Sequence, residues 1–482
     1  MGRGQRCCVF ENAKEAAEYI KSNQIEVLDV RFCDFLGAQH HFAVPAHAVD
    51  DEFFQSPQVF DASSLRGYAD INHSDMLLVA DPSTSYIDPF RHHKTLAMIF
   101  DVHDPRTGDV YERDSRNVAK KAEKYLAGCR FADTAYFAAE AEFFIFDDVR
   151  FKISNHSSSY SVDSEEGIWN SSRRKGGGNL GNQLKHKGGY APLPPADQHA
   201  DLRDDIMNAL TKVGLRVEKG HHEAGSAGQG EINYRFNTLV NAADDLLKFK
   251  YVVKNTAHEW GKSATFMPKP IAGDNGSGMH THQSLWKNGK PLFYSETGYA
   301  NLSDIALWYI GGLLKHGPAL AAFTNPSTNS YKRLVAGFEA PTSLVYSAGN
   351  RSAAIRIPPT IGAEGSKRIE YRVPDSSSNP YLAFSALLMA GIDGIKNKIH
   401  PGSPVEQNMY ELTKEQSRDL RYLPSSLSDA LRALEQDCDF LLEGNVFTRE
   451  FISAWIDYKR KNELNRIAQY PHPLEFGMYY GV

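Results

Sequence analysis

The chain has 482 residues, with 53 Lys and Arg against 59 Asp and Glu, a formal net charge of -6. Hydrophobic residues make up 41% and charged residues 23%, a balance that supports a sizeable core and excludes an intrinsically disordered polypeptide. The acidic excess argues against sequence-independent nucleic-acid binding, which rests on Lys and Arg against phosphate.

At roughly 150 residues per domain, two or three domains are allowed. No apolar run reaches the ~18 residues of a membrane-spanning helix. The longest, Tyr381 to Ile392, contains Ser385 and ends at Asp393. The opening MGRGQRCCVFENAKE lacks the apolar stretch of a signal peptide, and Arg6 breaks the myristoylation pattern. Five scattered cysteines, Cys7, Cys8, Cys33, Cys129 and Cys438, predict a reducing, cytoplasmic setting and no thiolate zinc site.

In chain order, short strands are predicted over Ile25 to Phe32, His40 to Val44, Met76 to Val79 and Leu96 to Val102, enough for a small two-layer domain. A helix is predicted from Ser115, read as its N-cap, with Val118, Ala122, Tyr125 and Leu126 on one face. Further helices are predicted at Asp201 to Val213, Ala242 to Trp260, Ser303 to Phe323, Pro380 to Lys398, Leu427 to Leu442 and Thr448 to Lys461. Ser154 to Ser172 is Ser-rich and Arg173 to Gly189 is rich in Gly and Lys. Together they read as a long surface excursion, ordered by a neighbour or a ligand.

Several strands carry ionisable groups at every second residue, so those groups share a face. Glu140 and Glu142 align in Tyr136 to Phe146, and Glu231, Asn233 and Arg235 align in EINYRF. His280, His282 and Ser284 align in MHTHQSLW, and Arg368, Glu370 and Arg372 in RIEYRV. A charged face is ordinarily a solvated face. Adjacent acids on one face nevertheless repel unless a cation lies between them. With Glu223, the set comprises five glutamates and one histidine, an oxygen- and nitrogen-rich donor set that suits two Mg²⁺ or Mn²⁺ ions.

Arg333, Arg351, Arg356, Arg368 and Arg372 add planar guanidinium forks suited to phosphate and carboxylate. Acids of metal-ligand type beside arginines suggest a nucleoside triphosphate and a carboxylate substrate. The familiar phosphate motifs do not carry this reading. Gly176-x-Gly178-x-x-Gly181 follows no strand, and Gly261-Lys262-Ser263 lacks the upstream glycine of a Walker loop.

The segments KPIAGDNGSGMHTH (from Lys269), NPSTNSYKRL (from Asn325), EAP (from Glu339), NRSAAIRIP (from Asn350), RIEYRVPD (from Arg368) and PHPLEFGMYY (from Pro471) resemble bacterial type I glutamine synthetase. The resemblance implies an α+β fold. Its parts are a small N-terminal β-grasp domain over 20–110 and a larger α/β catalytic domain over 111–482, with a barrel-like antiparallel sheet lined by charge. It implies a homododecamer of two stacked hexameric rings with active sites between subunits.

Position by position, the resemblance implies one metal site of Glu142, Glu223 and Glu231 and a second of Glu140, His280 and Glu370. Glutamate would meet Asn275, Gly276, Arg333 and Arg372. ATP would meet Glu218, His282, Ser284, Arg351, Arg356 and Arg368. Asp61 of a neighbouring subunit, Tyr190 and the flap residue Glu339 would form the ammonium site, with Asp61, Glu339 and Arg351 catalytic. Tyr410, in QNMYEL, matches the tyrosine adenylylated in one subtype, with an adenylyltransferase as partner. The implied reaction is ATP-dependent ligation of ammonium to L-glutamate through γ-glutamyl phosphate. A ligase joining glutamate to a larger amine and a non-catalytic regulatory protein on the same fold are the alternatives.

Overall fold

The computed structural model describes residues 9–69, 71–173, 180–359, 364–409, 418 and 420–482. Tyr410 and the Gly176-x-Gly178 part of the glycine motif lie outside the described residues. Among those described, no helix is long and apolar enough to cross a membrane.

Strands Val27–Cys33, Gln39–Pro45, Gln58–Asp61, Asp75–Ile87 and Thr95–His103 form the first sheet. Its central pair, Val27–Cys33 with Thr95–His103, is parallel, and the outer pairings are antiparallel. Leu28, Val30, Leu96, Met98 and Phe100 bury one side of it in the common core. The predicted Met76 to Val79 strand runs on to Ile87 across a register shift.

The next helix, Ser115–Gly128, is capped by Asp114, whose carboxylate accepts from the Arg116 amide; the cap is one residue earlier than Ser115. Arg116 in its first turn is buried and spans the two parts of the molecule. It reaches Asp81 (2.8 Å) and Asp101 (2.7 Å) in the first sheet and Asp244 (2.8 Å) in helix Leu239–Glu259. A guanidinium buried among three carboxylates holds those elements in one arrangement, because removing any partner leaves buried charge unpaired.

The larger part contains two more sheets and a helical layer. Thr134–Ala141 pairs with Met279–Lys287, which pairs in turn with Ile369–Tyr371, in a curled, mostly antiparallel sheet. The chain then leaves that sheet at Glu142, and Phe143–Phe146 joins a different sheet with Gln229–Tyr234 and Val217–His222. One continuous segment thus crosses between sheets with two acids at the crossing. Ile369, Tyr371 and Val373 are fully buried, so the charged face of their strand turns to the opposite side, as alternation requires.

Helices Asp304–Thr324 and Pro380–Lys396 are mostly buried and pack against each other in the helical layer. The helix predicted over Leu427 to Leu442 is two, Leu427–Gln436 and Asp439–Leu442. Asp437 leaves helical geometry at the break, and its carboxylate lies 2.8 Å from Nδ1 of the buried His316, whose Nε2 meets Asp393 at 2.8 Å. The last predicted helix is Arg449–Lys459, capped by Thr448 and followed by a π-turn over Arg460–Leu464. The polar excursion starts as a hairpin, Asp148–Ser154 with Ser157–Asp163, paired only with itself.

Candidate active site

Sheet register brings the first group together. Glu140 sits opposite His280 across one strand pair, and His282 sits opposite Glu370 across the next. His280 Nδ1 lies 3.5 Å from Glu140 Oε2 and 3.8 Å from Glu370 Oε1. One donor atom from each of Glu140, His280 and Glu370 lies within 4.8 Å of the others. Burial pushes the Glu140 carboxyl up, but hydrogen bonds from His280 and His282 outweigh it and hold it well below the usual range. Glu370 is buried too, yet His282 and Arg372 hold its carboxyl down to about 2. Its oxygens meet Arg356 and Arg372, each at 2.5 Å.

A second group that meets the same 4.8 Å separation is His221, Glu223 and Glu231. His221 Nδ1 lies 3.5 Å from Glu223 and its Nε2 3.6 Å from Glu231. Glu142 faces this group from the sheet crossing, where Gly278 N (2.8 Å) and Gln229 Nε2 (3.1 Å) donate to it. Burial pushes Glu142 up to about 7, aided by Glu223 and Glu231 against the pull of His280. Burial and the Glu231 charge push Glu223 up to about 7 as well. His221 was not singled out from the sequence, although it stands two residues before Glu223 and therefore had the alternation signal.

The donor sets fit hard divalent ions. They offer carboxylate oxygen and imidazole nitrogen without thiol, and at Glu142 and Glu223 burial and neighbouring acids outweigh the nearby imidazoles. A ligand acid must be ionised, so binding a cation here displaces protons below pH about 7. Calorimetry in two buffers of different ionisation heat is expected to show proton release on Mn²⁺ binding at pH 6 and much less at pH 8.

Members of the two groups line a wider cleft and a narrow one. The wider cleft, about 270 Å³, includes Glu140, Glu218, His282, Ser284 and Arg368 in its lining. Tyr136, Phe236 and Trp286 add aromatic walls, with ring centroids 5.1 and 5.6 Å apart. These aromatics, unremarked in the sequence because such residues ordinarily fill cores, suit the flat face of a nucleobase. Arg368 Nε donates to His282 Nδ1 at 3.2 Å.

The narrow cleft is lined by Glu142, Glu223, Asn275, Gly276, His280, Arg333, Glu339 and Arg372. At Gly278 a Cβ would stand 2.6 Å from Arg333 Nη2, so the glycine-dense turn permits a close backbone approach. Arg333 is buried and donates to the carbonyl oxygens of Arg372 (3.1 Å) and Val373 (2.7 Å), which fixes its guanidinium beside the cleft. The Arg351 side chain is exposed, while its carbonyl accepts from Arg372 Nε at 3.0 Å.

Glu339 holds a left-handed backbone conformation, φ 58°, on an exposed loop. Such strain in a residue other than glycine concentrates at functional sites. Beside it, Phe338 receives Lys187 and Lys269 over its ring at 3.9 and 3.8 Å. Tyr190 is exposed, with its ring edge-on to His221 at 5.5 Å. Among the described residues, Asp61 lines neither cleft. It is exposed in the first sheet, and its carboxylate bonds to Ser63 and Ser64 of its own turn.

Comparison with known proteins agrees with this arrangement. Residues 24–105 match the glutamine synthetase β-grasp domain and residues 112–479 the glutamine synthetase catalytic domain. The chain belongs to the glutamine synthetase family. It is 56% identical to glutamine synthetase of Streptomyces filamentosus over 98% of this chain and 100% of the relative. Against that of Mycolicibacterium smegmatis it is 56% identical over 96% and 98%. A cryo-EM structure of Plasmodium falciparum glutamine synthetase is similar at a TM-score of 0.90 and 31% identity, covering 99% of this chain and 100% of that one. The α+β fold, a β-grasp domain followed by a larger catalytic domain, is that of glutamine synthetase. Family membership carries ATP-dependent synthesis of glutamine from glutamate and ammonium, and dependence on a divalent metal.

Proposed function

We propose that the chain joins ammonium to the γ-carboxylate of L-glutamate through γ-glutamyl phosphate, using two divalent cations, Mg²⁺ or Mn²⁺, per site. The observation that carries the reading is the pair of ligand groups, whose members line an aromatic-walled cleft and an arginine-lined one. Glu140, His280 and Glu370 would hold one ion; Glu142, Glu223 and Glu231, with His221 beside them, the other. Bound there, the ions supply charge stabilisation to the transferring phosphoryl group.

The residues divide the remaining work. Tyr136, Phe236 and Trp286 wall the base of ATP, while Glu218, His282, Ser284, Arg356 and Arg368 contact the rest of the nucleotide. Asn275, Gly276, Arg333 and Arg372 hold glutamate. Arg351 adds positive charge where the phosphoryl group moves. A free carboxylate is a poor acylating agent because oxide would have to leave. Once a γ-carboxylate oxygen has bonded to phosphorus and ADP has left, the leaving group becomes phosphate. Asp61 of a neighbouring subunit binds ammonium and takes its proton, with Tyr190 alongside. Glu339 closes over the site, excludes water and accepts a proton from the new amide.

Glutamate with ¹⁸O in both γ-carboxylate oxygens is expected to yield phosphate carrying one label per turnover, read by mass spectrometry. Unlabelled phosphate would refute the acyl-phosphate route.

A homododecamer of two stacked hexameric rings in the cytoplasm completes the reading. It is supported by apolar side chains left exposed on single-chain elements. The self-paired hairpin shows Phe151, Ile153 and Tyr160, and the C-terminal helix Pro473–Tyr479 shows Leu474, Phe476 and Met478. Surface of this kind ordinarily marks a contact between chains. Tyr410 would be the site of regulation, with an adenylyltransferase as partner. An adenylyl group there adds negative charge to the segment that carries it. Protein from nitrogen-replete cells is expected to carry one adenylyl group on Tyr410, removable by phosphodiesterase and visible in the intact mass.

A further inference from the structure

The polar excursion over 154–189 takes no part in the chemistry above, yet both of its limbs close on one ligand-bearing segment, 222–224. Glu166 follows the exposed hairpin and is itself fully buried. Its Oε1 accepts from the Gln198 amide at 2.7 Å. Its Oε2 lies 3.0 Å from Nε2 of His222 and 3.0 Å from Nδ1 of His199. The His222 contact is an aligned hydrogen bond; the His199 contact is a close ion pair without that alignment.

His222, equally buried, places its other ring nitrogen, Nδ1, 2.7 Å from the carbonyl oxygen of Glu223. A carbonyl only accepts, so Nδ1 donates, and Glu166 fixes the ring from its far edge. The returning limb closes on the same segment. Gly189 N donates to the Ala224 carbonyl at 3.2 Å, and Ala191 N to the His222 carbonyl at 3.1 Å. A Cβ on Gly189 would stand 2.5 Å from the Glu223 carbonyl oxygen and 2.8 Å from His222 Cε1. Lys262, from the sequence that mimicked a phosphate loop, ties the base of the excursion by meeting Asp147 (2.6 Å) and Glu165 (2.7 Å).

We propose that the two described ends of the excursion, around Glu166 and Gly189, clamp the metal-ligating segment, with Glu166 acting through His222 as the positioning residue that sets the backbone of Glu223. The proposal rests on Glu223 being a metal ligand. Glu223 carries its carboxylate to within 3.5 Å of His221, and the Ala224 amide donates to it at 2.9 Å, so its side chain is aimed by the backbone the clamp holds. Groups that orient a ligand from behind change metal affinity by about 10- to 100-fold when altered.

The test titrates Mn²⁺ into the chelator-stripped full-length protein and reads free Mn²⁺ by electron paramagnetic resonance. Glu166→Gln keeps the shape and removes the charge; Gly189→Ala pushes directly on the Glu223 carbonyl. Each is expected to weaken Mn²⁺ binding about 10-fold or more, with kcat restored by excess Mn²⁺. A purely structural role would lower thermal stability and leave Mn²⁺ affinity unmoved, which overturns the proposal. In the unmodified protein, Mn²⁺ is expected to slow amide exchange over 164–170 and 189–191, a readout independent of how the variants fold. Absence of that protection also overturns it. Glu223→Gln separates the two claims. If it binds Mn²⁺ like the parent, the metal reading fails. If it loses the ion while Glu166→Gln and Gly189→Ala bind normally, only the clamp fails.

Discussion

Glu142→Gln is expected to move activity and stability in opposite directions. The carboxylate stands at the crossing between two sheets and faces Glu223 and Glu231. Losing a ligand charge removes several kcal/mol of phosphoryl-transfer stabilisation, so turnover should fall on the order of 10³-fold. The fold should survive, because an amide oxygen still accepts from Gly278 N and Gln229 Nε2. The sign for stability follows from the raised carboxyl, at about 7. A folded-state pKa above the ordinary carboxylate value means that ionisation costs stability, absent below pH about 4.5 and full above pH about 7. Gln removes that cost, on the order of 1–3 kcal/mol for so coupled a group. Thermal unfolding in chelator at pH 8 should therefore show the variant more stable than its parent, while turnover at saturating Mn²⁺ is nearly lost. Parent-like turnover would refute the ligand role.

The site was legible where its chemistry follows local periodicity. Glu140, His280 and Glu370 come together because alternation puts each on one face and strand register then aligns them. His221 had the same signal, two residues before Glu223. Contacts between distant residues left no such trace. Glu166 reads as one more acid in a polar stretch until His222, 56 positions away, gives it a partner. The break at Asp437 is equally tertiary, since a run suited to one helix is interrupted where its carboxylate meets His316, 121 positions earlier. The aromatic walls, Tyr136, Phe236 and Trp286, carry the same residue types as any core and show their role only through the charged groups around them. The fold's two parts could be read from pattern and resemblance, but not the buried hub at Arg116 that joins them, whose acids come from three separate elements.

Asp61→Ala and Glu339→Ala are each expected to be inactive alone and to restore activity to one another in mixed rings. Within one chain, Asp61 is exposed and bonds to Ser63 and Ser64, whereas Glu339 lines the narrow cleft with Glu223 and Arg372. The serine hydroxyls hold the Asp61 carboxyl below its ordinary value, so it is ionised throughout the neutral range and ready to hold a cation. An exposed, pre-ionised acid at the edge of the small domain becomes useful when a head-to-tail ring brings it to the next subunit's cleft. Each site would then draw Asp61 from one chain and Glu339 from its neighbour. With random assembly from equal parts, a site needs an Asp61-bearing donor (one half) and a Glu339-bearing acceptor (one half), so about a quarter of sites are whole. Co-expression with two affinity tags isolates the mixed rings, and their specific activity should approach a quarter of the parent's. Mixed rings as inactive as either variant would place the ammonium site within a single chain.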